Sequence, residues 1–238
     1  MAKEDDGPRY FMDEEDRRQN DISIFVRDAS PGEWRSLGGE LRDSAELLWN
    51  DRSNGLRGIL DQRTEVVDGE LRVVNETKKI YSVSRPYFLL AGFALENLLK
   101  GFIVALDPTL ITDGKLNPQL KTHKLTALVD KIEELELTES ELRFCSVAEK
   151  AIPYWGRYPV PLTFNNLVPE VGLTAELRNG FLSLFDRLDE KLYMEIRDGW
   201  DSGNGAGSGV TWDAKYDSKE RLDKIRRKGK SSRDENEI

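Results

Sequence analysis

The chain has 238 residues and carries 35 Lys plus Arg against 44 Asp plus Glu, a formal charge of −9, with one cysteine and one histidine. A lone Cys145 excludes a disulfide-stapled scaffold, and one Cys with one His is too few for a Cys/His zinc site, which needs about four such ligands. Hydrophobic residues make up 38 % and charged residues 33 %, with a mean hydropathy of −0.57, so the chain can build a core while much of it stays in water, and a reduced, intracellular compartment is expected.

The segment 1–20 carries −3 and is too acidic and too poor in apolar residues for a signal or transit peptide. Residues 1–30 therefore read as a flexible acidic arm. The first helical period follows, with Trp34, Leu37, Leu41, Ala45 and Leu48 at three- and four-residue steps and Pro31 in the first turn, where proline is tolerated. Between Asp51 and Lys79 two readings compete. Val66, Val67, Leu71, Val73 and Val74 fit a short helix or a β-hairpin turning at Asp68-Gly69.

From Ser84 to Leu106 the sequence is apolar on nearly every face, and Asp107-Pro108 closes it. About 20 such residues have the length of a membrane span, but Glu96 and Lys100 near the centre would each cost roughly 2.5 to 3.5 kcal/mol there. A bundle helix surrounded by other helices is expected, with no membrane partner. Next, Leu125, Leu128, Val129, Ile132 and Leu135 mark a helix opening near Thr122. Thr138-Glu139-Ser140-Glu141 is a capping box for another, which should turn Leu142, Cys145, Ala148 and Ile152 inward. A last amphipathic helix spans about Thr174 to Ile196, its apolar face formed by Leu177, Phe181, Leu184, Phe185, Leu188 and Leu192. The expectation is an all-α bundle of about five helices over residues 31–200, followed by a Gly/Ser linker and charged tail over 201–238. Within the tail, Lys219 to Arg233 holds a local balance of +6, suited to phosphates or an acidic partner, or to a solvated terminus.

Three places hold polar residues that chemistry would use. Glu96 and Lys100 stand at i, i+4 with the acid first on a greasy helix, where each charge has to be paired; they form an internal ion pair or line a pocket in the bundle core. His123 stands at a helix start, where the helix dipole favours a neutral imidazole fit to accept a proton or belong to a local hydrogen-bond network. Lys121 and Lys124 beside it make a small basic patch. Trp155, Arg157 and Tyr158 lie in a loop punctuated by Gly156 and stiffened by Pro159 and Pro161 that would either hold a guanidinium toward a carboxylate or phosphate or cover the bundle end. Gly229-Lys230-Ser231 lacks the upstream glycine and strand of a phosphate loop, the glycines at 203, 205, 207 and 209 lack a βαβ setting, and no nucleophile elbow is present. No metal site, cofactor or assigned catalytic residue follows from these patterns.

Taken together, Gly92-Phe93-Ala94-Leu95-Glu96-Asn97-Leu98-Leu99-Lys100, His123-Lys124-Leu125 through Leu128, and Trp155-Gly156-Arg157-Tyr158-Pro159 resemble, in their order, the HEPN-like (higher eukaryote and prokaryote nucleotide-binding) superfamily, particularly its uncharacterised bacterial members. The resemblance covers about Ser84 to Ile196. It implies a cytoplasmic helical bundle, frequently a homodimer, that binds a nucleotide, RNA or a partner protein. The superfamily's ribonucleases carry an arginine followed four to six residues later by a histidine; no arginine lies within Leu116 to Thr122 and no histidine follows Arg157. The resemblance thus implies a binding member without that motif, whose candidate cluster is Glu96, Lys100, His123, Trp155, Arg157 and Tyr158. Two alternatives stand beside it: a divergent metal-independent ribonuclease using His123 and Arg157, and a structural or oligomeric bundle.

Overall fold

The computed structural model describes residues 13–133, 135–154 and 169–203. Helix α1 spans Glu14–Asp28 and α2 spans Pro31–Asn50; strands β1 (Leu56–Val67) and β2 (Glu70–Tyr81) follow, then α3 (Ser84–Leu106). A short ribbon of β3 (Ile111–Thr112) and β4 (Lys115–Leu116) leads through a 3-10 turn at Pro118–Lys121 to the one-turn α4 (Leu125–Val129), and α5 (Glu139–Tyr154) and α6 (Ala175–Ile196) complete the order.

The all-α expectation is corrected: the fold is α+β, with two antiparallel two-stranded sheets among the described residues. The segment 51–79 resolves as a hairpin. Asp68 and Gly69 both have positive φ, 54° and 80°, which aspartate tolerates and glycine adopts without strain, and the turn sets a register from Val67↔Glu70 out to Leu56↔Tyr81. Its apolar residues are mostly β-branched, which suits a pleated strand better than a helix, and the Asp68-Gly69 turn lets the two runs pair. Helix α1 lies inside the segment expected to be an arm. Asp13 caps it, its side chain accepting from the Asp16 N–H at 2.8 Å, yet among its residues only Val26 is buried.

Helix α3 is the axis of the core. By length and composition it could cross a membrane, but 78 % of its most apolar window is buried inside the protein, where α2, α5 and α6 pack around it. The last helix buries the face expected of it, Leu177, Phe181, Leu184, Phe185, Leu188 and Leu192. The capping box at Thr138 is also formed: the Thr138 N–H donates to Glu141 at 2.9 Å and Glu141 N–H donates to the Thr138 hydroxyl at 3.4 Å. Burial alone would push the Glu141 carboxyl up, but hydrogen bonds from Thr138 and Ser183 and the Arg187 guanidinium together hold it below its ordinary value. In α5 Cys145, Ala148 and Ile152 are buried as expected, whereas Leu142 is turned outward and Phe144 takes the inward position.

The buried stripe of α2 is displaced from the one its leucines suggest. Leu37 is exposed, and the inward residues are Arg35, Gly38, Arg42 and Ala45. The arginines go inside because α6 offers them carboxylates and rings: Arg35 bonds Asp189 at 2.7 Å and lies 5.1 Å from the Tyr193 ring centre, and Arg42 lies 5.3 Å from that of Phe185 with Asp186 at 3.8 Å. Gly38 faces the Ala94 carbonyl of α3, where an added Cβ would sit 3.2 Å away.

A closer approach occurs between α5 and α6. A Cβ at Gly180 would press into the backbone carbonyl of Ser140, which has no rotamer by which to yield. Gly180→Ala is therefore expected to destabilise the protein by about 1 to 3 kcal/mol through overpacking, although alanine is the better helix former. A urea denaturation midpoint at or above that of the unsubstituted protein would contradict this.

Candidate functional site

Glu96 and Lys100 lie one turn apart on α3, both 6 % exposed. Lys100 Nζ donates to Glu96 Oε1 at 2.5 Å, so the internal ion pair is formed. A third group joins it: His123 Nδ1 stands 3.1 Å from Glu96 Oε1 and 3.0 Å from Oε2. Chain folding closes this contact over 27 residues, and it joins the central helix to the connection before α4.

That connection is held from both sides. Leu120 and Leu125 are buried on either side of the histidine. Asn117 caps the preceding turn by accepting from the Gln119 N–H at 3.0 Å, and the Thr122 hydroxyl accepts from the Lys124 N–H at 3.1 Å. Beyond it, the Thr126 N–H and hydroxyl both donate to Glu149 of α5, at 2.6 and 2.8 Å. Thr122 thus closes a local turn rather than capping a long helix; α4 has only five residues, so dipole control of the imidazole gives way to control by the Glu96 carboxylate.

His123 Nδ1 faces the Glu96 carboxylate, so the arrangement that satisfies both groups has the hydrogen on Nδ1 donated to Glu96, with Nε2 as the outward nitrogen. The His123 side chain is 50 % exposed against 7 % for Glu96, so a buried base orients a ring that reaches solvent. The same second-group orientation makes imidazoles effective proton acceptors or ligands in general. Lys121 and Lys124 are exposed beside it and supply positive charge to that stretch of surface.

The structure thus brings Glu96, Lys100 and His123 together. Trp155, Arg157 and Tyr158 lie outside the described residues. Cys145 is buried and its thiol is pushed up to about 12 by burial and by Glu149 and Glu141, which removes it as a nucleophile near neutral pH. Among the described residues no group of three His, Cys, Asp or Glu side chains is placed to hold a metal ion.

A second polar cluster had no sequence signal. Arg178 of α6 donates through Nε to both Glu46 oxygens at 3.1 and 3.0 Å, and the Tyr87 hydroxyl donates to Glu46 at 3.3 Å. Burial, with Glu46 beside it, pushes the Tyr87 phenol well above its ordinary value. The Arg52 and Arg178 guanidinium groups lie 3.8 and 5.0 Å from the Trp49 ring centre. These groups satisfy one another across α2, α3 and α6 and present no unpartnered acid or base, so the cluster reads as packing. Comparisons with protein-family models, curated proteins and solved structures gave no match to the chain.

Proposed function

We propose that the chain is a HEPN-like helical protein that binds a phosphate-bearing ligand, a nucleotide or RNA, at the surface around His123. One observation carries this reading: a half-exposed imidazole is fixed through Nδ1 by a buried carboxylate that Lys100 also bonds, with Lys121 and Lys124 exposed next to it. Lysines supply the attraction to phosphate and the oriented ring supplies a directional hydrogen-bonding group. The acidic balance of the whole chain makes this a local site rather than a broad nucleic-acid face.

Titrating the purified protein with nucleoside mono-, di- and triphosphates and with a short fluorescent single-stranded RNA tests the reading. Binding that weakens with salt and falls about tenfold or more in His123→Ala, the loss of roughly 1.4 kcal/mol, is the expected result. No anisotropy change with RNA and no thermal shift with any nucleotide would sink it.

The Glu96–His123 contact favours one second reading, a divergent metal-independent ribonuclease in which His123 Nε2 takes the proton from a ribose hydroxyl. RNA cleavage by the unsubstituted protein that drops by roughly 10²-fold or more in His123→Ala would support the enzyme. Cleavage equal in both proteins would assign the activity to a contaminant.

A further inference from the structure

The chain has one histidine, and its half-exposed ring reaches solvent beside Lys121 and Lys124. Imidazole is the side chain whose ordinary titration falls between about pH 5 and 8. The charged groups packed around it are of types that ordinarily titrate outside that range, near about 4 for carboxylates and about 10 for lysine amines. They are Glu96 and Lys100 of α3, bonded to each other and buried, Glu149 of α5, which accepts from the Thr126 N–H and hydroxyl, and Lys121 and Lys124 on the connection itself. The one thiol, Cys145, is buried and pushed up to about 12. What the ring presents outward therefore depends on a single proton. With the Nδ1 hydrogen on Glu96, a neutral ring turns the Nε2 lone pair to solvent, and a phosphate oxygen, itself an acceptor, meets it with no hydrogen between them. A protonated ring donates from both nitrogens.

We propose that phosphate binding at this surface is coupled to the uptake of one proton at His123 Nε2, so that the ligand is held as pH falls and released as it rises, a coupling that rests on the phosphate-site reading of the His123 surface. The proton comes from solvent, and no bond of the ligand is made or broken. Glu96 lets the change occur without movement. Both of its oxygens stand within 3.1 Å of Nδ1, so the carboxylate keeps that hydrogen bond in either state of the ring, and Nε2 points the same way before and after. Charge follows the proton. While the ring is neutral, Glu96 and Lys100 cancel, and Lys121 and Lys124 alone attract an anion, each as a point charge on a flexible stem. The proton adds a third positive charge held in a fixed direction, and it converts a meeting of two acceptors into a charge-assisted hydrogen bond. The sign follows from the count. The complex holds one more proton than the free protein, so affinity falls as pH rises through the imidazole range and levels off below it.

The test uses the full chain and a short single-stranded RNA with hydroxyl ends, because phosphodiesters do not titrate between pH 6 and 8 whereas a terminal phosphate does, near about 6. Anisotropy with a pH-insensitive dye at pH 6, 7 and 8 and constant ionic strength should show affinity about tenfold or more higher at pH 6 than at pH 8. Titration calorimetry at pH 7.5 in two buffers of unlike ionisation heat should find a net uptake of about one proton per RNA. His123→Gln keeps an N–H donor at a half-exposed position but does not titrate, so its weaker binding should be flat across the range, with helical circular dichroism unchanged. Binding by the unsubstituted protein that varies less than about twofold from pH 6 to 8, with no proton uptake, overturns the coupling and leaves the phosphate site standing. A pH dependence that survives in His123→Gln also overturns it, placing the proton elsewhere, as on the α-amino group, whose ordinary value is near about 8. No binding at any of the three pH values removes the site and the coupling together.

Discussion

Replacing Glu96 by alanine is expected to destabilise the protein by about 3 to 5 kcal/mol, because it removes the partner of a buried ammonium and leaves Lys100 with an uncompensated charge. The loss extends beyond the ion pair. His123 donates to the same carboxylate, so the connection before α4 loses its tie to the central helix, and its amides should exchange with solvent faster. Two further variants isolate the charge effect. Glu96→Gln keeps an acceptor and should lose less, and the double variant Glu96→Leu/Lys100→Met, which removes both charges while keeping the volume, should recover much of the stability. Chemical denaturation of the three proteins decides the matter. If Glu96→Ala loses no more than about 1 kcal/mol, the range of exposed pairs, the site is wetter than its burial indicates.

Phe181→Ala should cost a similar ~3 to 5 kcal/mol by a different route. Its ring lies 6.1 Å from Tyr87 of α3, 5.2 Å from Phe144 of α5 and 5.8 Å from Phe185 of α6, with the first and last arranged edge to face. Truncation leaves a cavity where three helices meet, and the neighbouring rings, each packed in turn, can relax into it only partly. The expected signature is a lower denaturation midpoint with an unchanged slope. Binding at the His123 surface should survive at temperatures where the variant is folded, which separates loss of packing from loss of the site. Phe181→Leu, which fills part of the space, should lose distinctly less.

The parts of the fold legible in the sequence are those in which one local rule acts alone. In α6 a regular apolar stripe meets the core, and at Thr138 and Glu141 a cap is built from neighbours in the chain. The misread parts depend on distant partners. On α2 the leucine periodicity points one way and the arginines another, and only Asp186, Asp189, Phe185 and Tyr193 on α6 make Arg35 and Arg42 inward residues. The all-α expectation failed at 51–79 because valines clustered about a glycine satisfy a short helix as well as a hairpin, and pairing energy between strands has no counterpart in a single-helix pattern. For the site, the spacing of Glu96 and Lys100 announced an ion pair. His123 was grouped with Glu96 and Lys100 only through the family resemblance; nothing in its spacing announced the contact, which depends on where the turn at Pro118–Lys121 delivers the chain.

The hairpin begins and ends at nearly the same point in space: the Ser82 N–H donates to the Gly55 carbonyl at 3.0 Å. In terms of chain path, the two strands are an excursion between α2 and α3, which pack directly on each other beneath it. Such an excursion can lengthen or shorten at its Asp68-Gly69 tip without altering how the helices meet, whereas its base is tied to the bundle by buried Ile80 and by Arg57 on Glu170.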